Sequence, residues 1–197
     1  MAQLEGIDQF LLSVGRESWD VLKRDALMFV IASLVLMAVS MVTLGILAGP
    51  VTVGAIEMIR RAKRGEPLAL GILFSRFDTF VPSLIAVVLV GTAIFIGCLL
   101  LVLPGLLVAL FTPFVMHVLA YESAGGIGAI RRSVELVRDN FLPVFALLIV
   151  LGIGQAVGGI VVFGVLLTAP LTLIALTVCY ERITGLSRAS VPEVLTV

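Results

Sequence analysis

The sequence predicts an all-α integral membrane protein. Six transmembrane helices form three helical hairpins, an internal triplication, with amphipathic helices lying along the cytoplasmic interface. Three observations carry this. Of the 197 residues, 60% are hydrophobic and only 13% charged, against roughly 25% charged in a soluble domain, so the solvent for this much apolar surface must be lipid. The apolar residues form continuous runs, not the alternating pattern of a β-barrel. All charge lies between the hairpins or at their membrane edges, and the opposite turns near 45–50, 101–105 and 164–170 carry none.

The first unit covers about residues 3–65. Within 3–24, Leu4, Ile7, Leu11, Val14, Val21 and Leu22 recur near helical spacing and Trp19 sits among charges. This predicts an interfacial helix with Trp19 at headgroup depth. The early Glu5 and Asp8, and the late start of the first apolar run, argue against a cleaved signal. Ala26–Leu47 is uncharged; at 1.5 Å per residue it is roughly 33 Å long, enough to cross the hydrocarbon core. Gly45, Gly49 and Pro50 predict a turn, and Val51–Ile59 the return. From Pro50 to Ile59 is only about 15 Å of helix. Glu57 is therefore expected near the interface, paired with Arg60 and Arg61 at i+3 and i+4.

The second unit covers 66–126. Leu68–Phe80 is semi-polar, and Val81–Val102 is the next span. Pro104-Gly105 predicts a tight turn: Pro104 lacks an N–H and disfavours helical dihedrals at Leu103, while Gly105 is free to turn. Leu106–Tyr121 returns to Glu122. The third unit covers 127–185. Ile127–Asn140 reads as an amphipathic helix, with Ile127, Ile130, Val134 and Val137 on one face and Arg131, Arg132, Glu135, Arg138 and Asp139 on the other. Phe141–Gly164 is the fifth span. A turn near Thr168–Pro170 leads to the sixth, which ends at Glu181-Arg182. Residues 186–197 read as a poorly ordered tail, and residues 1–197 as a single membrane domain.

The units match one another. Pro50-Val51-Thr52-Val53 parallels Pro170-Leu171-Thr172-Leu173, and Pro50–Gly65 and Pro170–Gly185 have the same separation, fifteen residues. Glu57, Glu122 and Glu181 each sit near the end of a return helix. Repeats of this kind pack around a pseudo-axis in membrane folds. The charge asymmetry, read by the positive-inside rule, puts both termini and both long links in the cytoplasm. Any charged ligand or soluble partner is then expected on that face.

Candidate chemistry follows from these positions. Arg60, Arg61, Lys63 and Arg64, together with Arg131, Arg132 and Arg138, are candidates for binding anionic lipid headgroups, at roughly 1 kcal/mol per basic residue; fixing topology is the compatible alternative. Glu57, His117, Glu122, Gln155 and Glu181 are the intramembrane polar candidates. His117 is the sole histidine, and its five-residue spacing to Glu122 suits helix packing better than a proton relay. Gln155 reads as an interhelical hydrogen-bonding residue. Gly154 and Gly158 form a small-xxx-small face for close helix packing, within the chain or in a homo-oligomer. Cys98 and Cys179 lie in apolar runs and read as small hydrophobes. Metal-ligand geometry, G-x-S-x-G and phosphate-cradling loops are missing from the sequence, so neither metal nor cofactor nor enzyme activity is expected. Zero net charge gives no basic field for nucleic acid.

The run L-x-L-P-G-L-L, then F-x-P-F-V and Y-E-S-A-G-G-I-G-A-I-R-R-S-V-E-L-V-R-D-N-F, resembles a broad group of bacterial membrane proteins. That group includes the membrane domain of some glycerophosphodiester phosphodiesterases and the YciC-like inner-membrane proteins. Leu103-Pro104-Gly105, Glu122, Ala129, Arg132, Ser133, Leu136 and Phe141 carry the resemblance, and Arg64-Gly65-Glu66-Pro67 looks like its polar link. The resemblance implies a six-helix, multi-pass protein of the bacterial inner membrane and implies no enzyme activity. The expected function is the organisation of membrane lipid, chiefly anionic, or of partner proteins through the cytoplasmic face, as a homo-oligomer. A small transporter or channel with a path between the hairpin repeats is the alternative; it requires a polar cavity.

Overall fold

The computed structural model describes residues 2–122, 124–160 and 164–186. The described helices are α1 Ala2–Arg24, α2 Ala26–Val42, α3 Ala48–Lys63, α4 Phe80–Leu100, α5 Val102–Phe111, α6 Val115–Tyr121, α7 Gly126–Asp139, α8 Phe141–Ile160 and α9 Gly164–Ile183. Two 3-10 turns, Leu70–Phe74 and Phe77–Thr79, precede α4. Among the described residues there is no strand. A charge-bearing segment, an apolar helix and a returning segment follow one another three times: α1–α2–α3, the 3-10 turns with α4 and α5–α6, and α7–α8–α9. Most of the expected tail lies outside the described residues.

Four helical stretches are long and apolar enough to cross a membrane: Leu70–Leu100, Val102–Tyr121, Phe141–Gly159 and Leu166–Ile183. The first hairpin is shorter, because α2 has 17 residues and α3 has 16 and ends in Arg60, Arg61 and Lys63. α1 meets α2 at an angle of 92°, with Asp25 between them. The amphipathic pattern explains the bend: Val14, Ser18, Val21 and Leu22 are buried on one face of α1 while Arg16, Asp20, Lys23 and Arg24 stay exposed. Such a helix is most stable lying across the bundle, not continuing its apolar neighbour.

Of the expected turn residues, Gly45 does lie in the turn, but Gly49, Pro50, Pro104, Gly105 and Pro170 are inside helices. Pro50 is the third residue of α3 and Pro104 the third of α5. In a first turn the missing N–H is no loss, because that donor has no helical acceptor. The chain actually reverses at Leu44 and Gly45, with φ of 50° and 82°, and at Leu101, which is extended. Gly105 serves packing instead of turning: a Cβ there would lie 2.2 Å from Cys98 Sγ and 2.7 Å from Cys98 N, so its bareness lets α5 touch α4. Pro170 lies well inside α9. Packing against α2, α3 and α8 holds the helix together around it; residues 161–163, between α8 and α9, lie outside the described residues.

The return of the second unit is broken. α5 ends at Phe111, Pro113 cannot donate, and α6 starts at Val115. Ser133 of α7 bridges the break: its hydroxyl donates to the Phe111 carbonyl (3.1 Å) and accepts from the Phe114 N–H (3.2 Å). This supplies partners for backbone groups that a broken helix would leave bare in an apolar setting.

The buried side chains gather toward the charged ends of the helices. Ile56, Met58 and Ile59 of α3, Val118 of α6, Val137 of α7 and Ile174 and Tyr180 of α9 are all 2% exposed or less. The opposite end is open. Leu44 is 91% exposed and Leu99 76%, an open apolar surface compatible with a membrane protein.

Candidate functional site

The charged ends of α1, α3, α6, α7 and α9 meet in one connected polar layer. At its centre is Glu181, in the last turn of α9, whose carboxylate accepts from Lys63 of α3 and from the Tyr121 hydroxyl of α6. Lys63 also pairs with Glu17 of α1 at 2.8 Å. Glu17 in turn holds Arg182 at 2.7 Å, and Arg182 donates to the Ser13 hydroxyl. Burial works to raise the Glu17 carboxyl, but hydrogen bonds from Lys63 and Arg182 and their positive charge outweigh it, and its pKa lies below the ordinary value. Two cations and two carboxylates thus clamp α1 to α3 and α9.

A second tie mirrors the first. Tyr180 of α9 donates to Glu122 at the end of α6 (2.9 Å), while Tyr121 donates to Glu181. Each tyrosine bonds the glutamate of the other helix, and their rings lie 5.1 Å apart. Arg60 covers the Tyr121 ring at 4.3 Å and reaches Glu57 at 2.7 Å. Glu57 also faces Arg61 at 3.7 Å and Arg64 at 3.6 Å, so the expected i+3 and i+4 pairing of Glu57 is present. Arg132 of α7 joins through Glu122 (3.6 Å) and Glu135 (3.5 Å).

A family model described as a domain of unknown function (DUF7847) matches residues 66–195, about two thirds of the chain. The chain belongs to this family. The match begins at the link before the second unit and covers α4 to α9, while α1 to α3 lie outside it. No curated protein matches, and no solved structure matches. Within the DUF7847 region lie Tyr121, Glu122, Tyr180 and Glu181, both halves of the reciprocal tie.

The remaining expected site residues are dispersed. His117 is buried 60 residues from its partner in sequence: its Nε2 lies 3.2 Å from Thr177 Oγ1. Thr177 donates its own proton to the Leu173 carbonyl, which leaves its oxygen able to accept from the ring. The ring packs between Phe114 and Tyr180, a helix-packing role. Gln155 donates to Thr172 (3.0 Å) and accepts from Thr168 (2.9 Å), joining α8 to α9. Gly158 is a close contact, where a Cβ would lie 2.6 Å from Thr168 Cγ2, whereas a Cβ on Gly154 would meet nothing within 4 Å. The two glycines therefore do not share one packed seam within the chain. Among the described residues no cluster of three or more His, Cys, Asp and Glu has metal-holding geometry.

The buried face of α7 differs from the one its apolar residues suggest. Gly126, Ala129, Ser133, Leu136 and Val137 are buried, while Ile127 is 58% and Val134 37% exposed. Small residues are what let α7 approach closely: a Cβ on Gly126 would lie 2.5 Å from the Pro82 carbonyl of α4. The outward face then carries Ile127, Arg131, Val134 and Arg138 at i, i+4, i+7 and i+11, all exposed.

The sequence reading did not single out Tyr121, Tyr180 or Glu17, and it named Ser133 only as part of the resemblance. One signal was available: the dipeptide Tyr-Glu occurs at 121–122 and again at 180–181, at the end of two return segments.

Proposed function

We propose that this chain is a non-enzymatic, multi-pass protein of the bacterial inner membrane that organises lipid, chiefly anionic, along its cytoplasmic face. The single observation that carries the reading is the outward stripe of α7. Its two arginines, Arg131 and Arg138, have no ion pair among the described residues and alternate with two exposed apolar side chains. Such a stripe puts guanidinium groups at phosphate depth and apolar side chains just below. The basic residues of α3 are not equivalent, because Arg60, Arg61, Lys63 and Arg64 all face carboxylates within 4.0 Å.

Six crossings in three repeated units, with both termini cytoplasmic, complete the proposal. The threefold order of elements and the collection of the described charges at one end support it. The short α2 and α3 would cross with their charged ends at the interface. Self-association is assigned to the open face of Gly154, with the exposed Ile153 and Val157 beside it. The lipid reading is preferred to a transport path because the cleft between α2, α3 and α9 is lined mainly by apolar side chains.

The test compares wild-type protein with Arg131→Ala/Arg138→Ala protein, released from mixed vesicles into native mass spectrometry. Two basic residues at about 1 kcal/mol each correspond to roughly a 30-fold loss of affinity for anionic phospholipid. Wild-type protein should retain phosphatidylglycerol over phosphatidylcholine, and the double variant should lose that preference. Equal retention by both proteins would sink the proposal.

A further inference from the structure

A cleft of about 440 Å³ lies between α2, α3 and α9, within the roughly 300–1,000 Å³ range of ligand sites. Its α2 wall is one helical stripe, Phe29, Ala32, Ser33, Leu36, Met37 and Ser40, spaced i, i+3, i+4, i+7, i+8 and i+11. The width comes from small residues facing one another, Ala32 on α2, Ala55 on α3 and Ala169 on α9. The cleft is not sealed: Met37 on its wall is 57% exposed.

Its length and chemistry select the occupant. From Phe29 to Ser40 is about 16 Å of helix at 1.5 Å per residue. Half of a hydrocarbon core of about 30 Å is about 15 Å. The cleft starts one turn past Asp25, where the charged α1 bends away, so it runs inward from the charged interface for the depth of one leaflet. Apart from the hydroxyls of Ser33, Ser40 and Thr52, its polar lining is Gln155 and Thr172, which already bond each other. Water would find few partners there, and an empty slot forfeits dispersion contacts along its whole lining. An apolar chain of one leaflet's length fits both constraints.

We propose that this cleft seats one acyl chain of a membrane phospholipid from the leaflet on the charged side. The proposal rests on the membrane reading above but not on headgroup charge. Wild-type protein in phosphatidylcholine vesicles carrying a photoactivatable diazirine at mid-chain tests it, with the cross-linked residues mapped by mass spectrometry. Leu36, Met37, Leu166 and Leu173 should label several-fold above Phe95 and Val88, which are exposed apolar residues outside the cleft. Ala169→Trp, which plugs the cleft, should remove that excess while Phe95 and Val88 label as before and the helical circular dichroism matches the wild type. Even labelling of cleft and outer faces in the wild-type protein overturns the proposal. So does cross-linking of the cleft to a second copy of the chain. Adding phosphatidylglycerol should leave the cleft labelling unchanged. Loss of headgroup preference alone would therefore count against the functional reading and not against this site.

Discussion

Two basic helices reach the same polar layer, and their charges have opposite fates. On α3 and its cap, Arg60, Arg61, Lys63 and Arg64 all face carboxylates from α1, α9, the following link or α3 itself. On α7, Arg132 alone pairs, and Arg131 and Arg138 stand exposed with no ion pair among the described residues. The sequence shows two similar basic clusters. At Lys63, 17% exposed, burial makes the difference, because a cation drawn into a packed, low-dielectric layer must be neutralised; at the more exposed Arg61 and Arg64 it is the placing of Glu57 and Glu66 beside them. Charge count does not separate an internal tie from an external site, but pairing does.

The comparison breaks most visibly at Lys63. Its side chain is 17% exposed and stands between Glu17 and Glu181. Lys63→Ala leaves two carboxylates facing each other without their shared cation and should cost about 3 kcal/mol. Arg131→Ala should change stability by no more than about 0.5 kcal/mol. Thermal unfolding followed by circular dichroism in one detergent reads both. Equal losses would mean that α3 and α7 do not differ in the way their pairing indicates.

The reciprocal tyrosine tie should be the next largest effect. Tyr121→Phe and Tyr180→Phe each remove a hydrogen bond to a carboxylate, worth about 1.5–3 kcal/mol. The two rings touch, so the double variant should depart from the sum of the singles by at least about 0.5 kcal/mol. Strict additivity in the same unfolding assay would show that α6 and α9 are tied independently.

How far the sequence reaches can be judged from these residues. Helical class, the amphipathic α1 and α7, the long apolar runs and the local Glu57 pairing were legible, because periodicity and i+4 spacing are short-range facts. The prolines misled. Each was read as a reversal, but Pro50 and Pro104 occupy first turns, where their missing donor is harmless, and tertiary packing carries α9 through Pro170. The buried face of α7 was missed because Ala129 and Ser133, small and weakly apolar, form it in place of Ile127 and Val134. What those small residues meet, a neighbouring backbone and a helix break at Pro113, is a long-range fact. The same holds for the polar layer: Glu17 finds Arg182 across 165 residues, a pairing that local spacing does not encode.

Glu57→Gln sharpens the comparison from the other side. It removes the carboxylate shared by Arg60, Arg61 and Arg64; Arg61 and Arg64 keep Glu66, so Arg60 is the arginine released. Affinity for phosphatidylglycerol vesicles should rise by up to about 1 kcal/mol. Native mass spectrometry of retained lipid measures this. No gain would indicate that the α3 cluster faces away from headgroups whatever its pairing.

The smallest effect is a pH dependence, and its sign follows from Glu17. This carboxyl titrates below the ordinary value of 4.5, because Lys63 and Arg182 outweigh its burial. A carboxylate with a lowered folded-state pKa contributes stability that is complete above its unfolded value and lost as pH falls through the folded one. α1 should therefore be held to α3 and α9 at neutral pH and loosen only on acidification below about 4.5. Amide exchange over residues 14–22, corrected for intrinsic rates and compared at neutral and acid pH, reads this directly. Wild-type α1 should lose protection in acid. Glu17→Gln should show weaker protection at neutral pH and a flatter profile, since the proton that drives the change has no site to bind. Arg131→Ala should follow the wild type throughout, because α7 and the α1 clamp share no ion pair. If Arg131→Ala flattened the profile as well, the division between a neutralised α3 and an available α7 would fail.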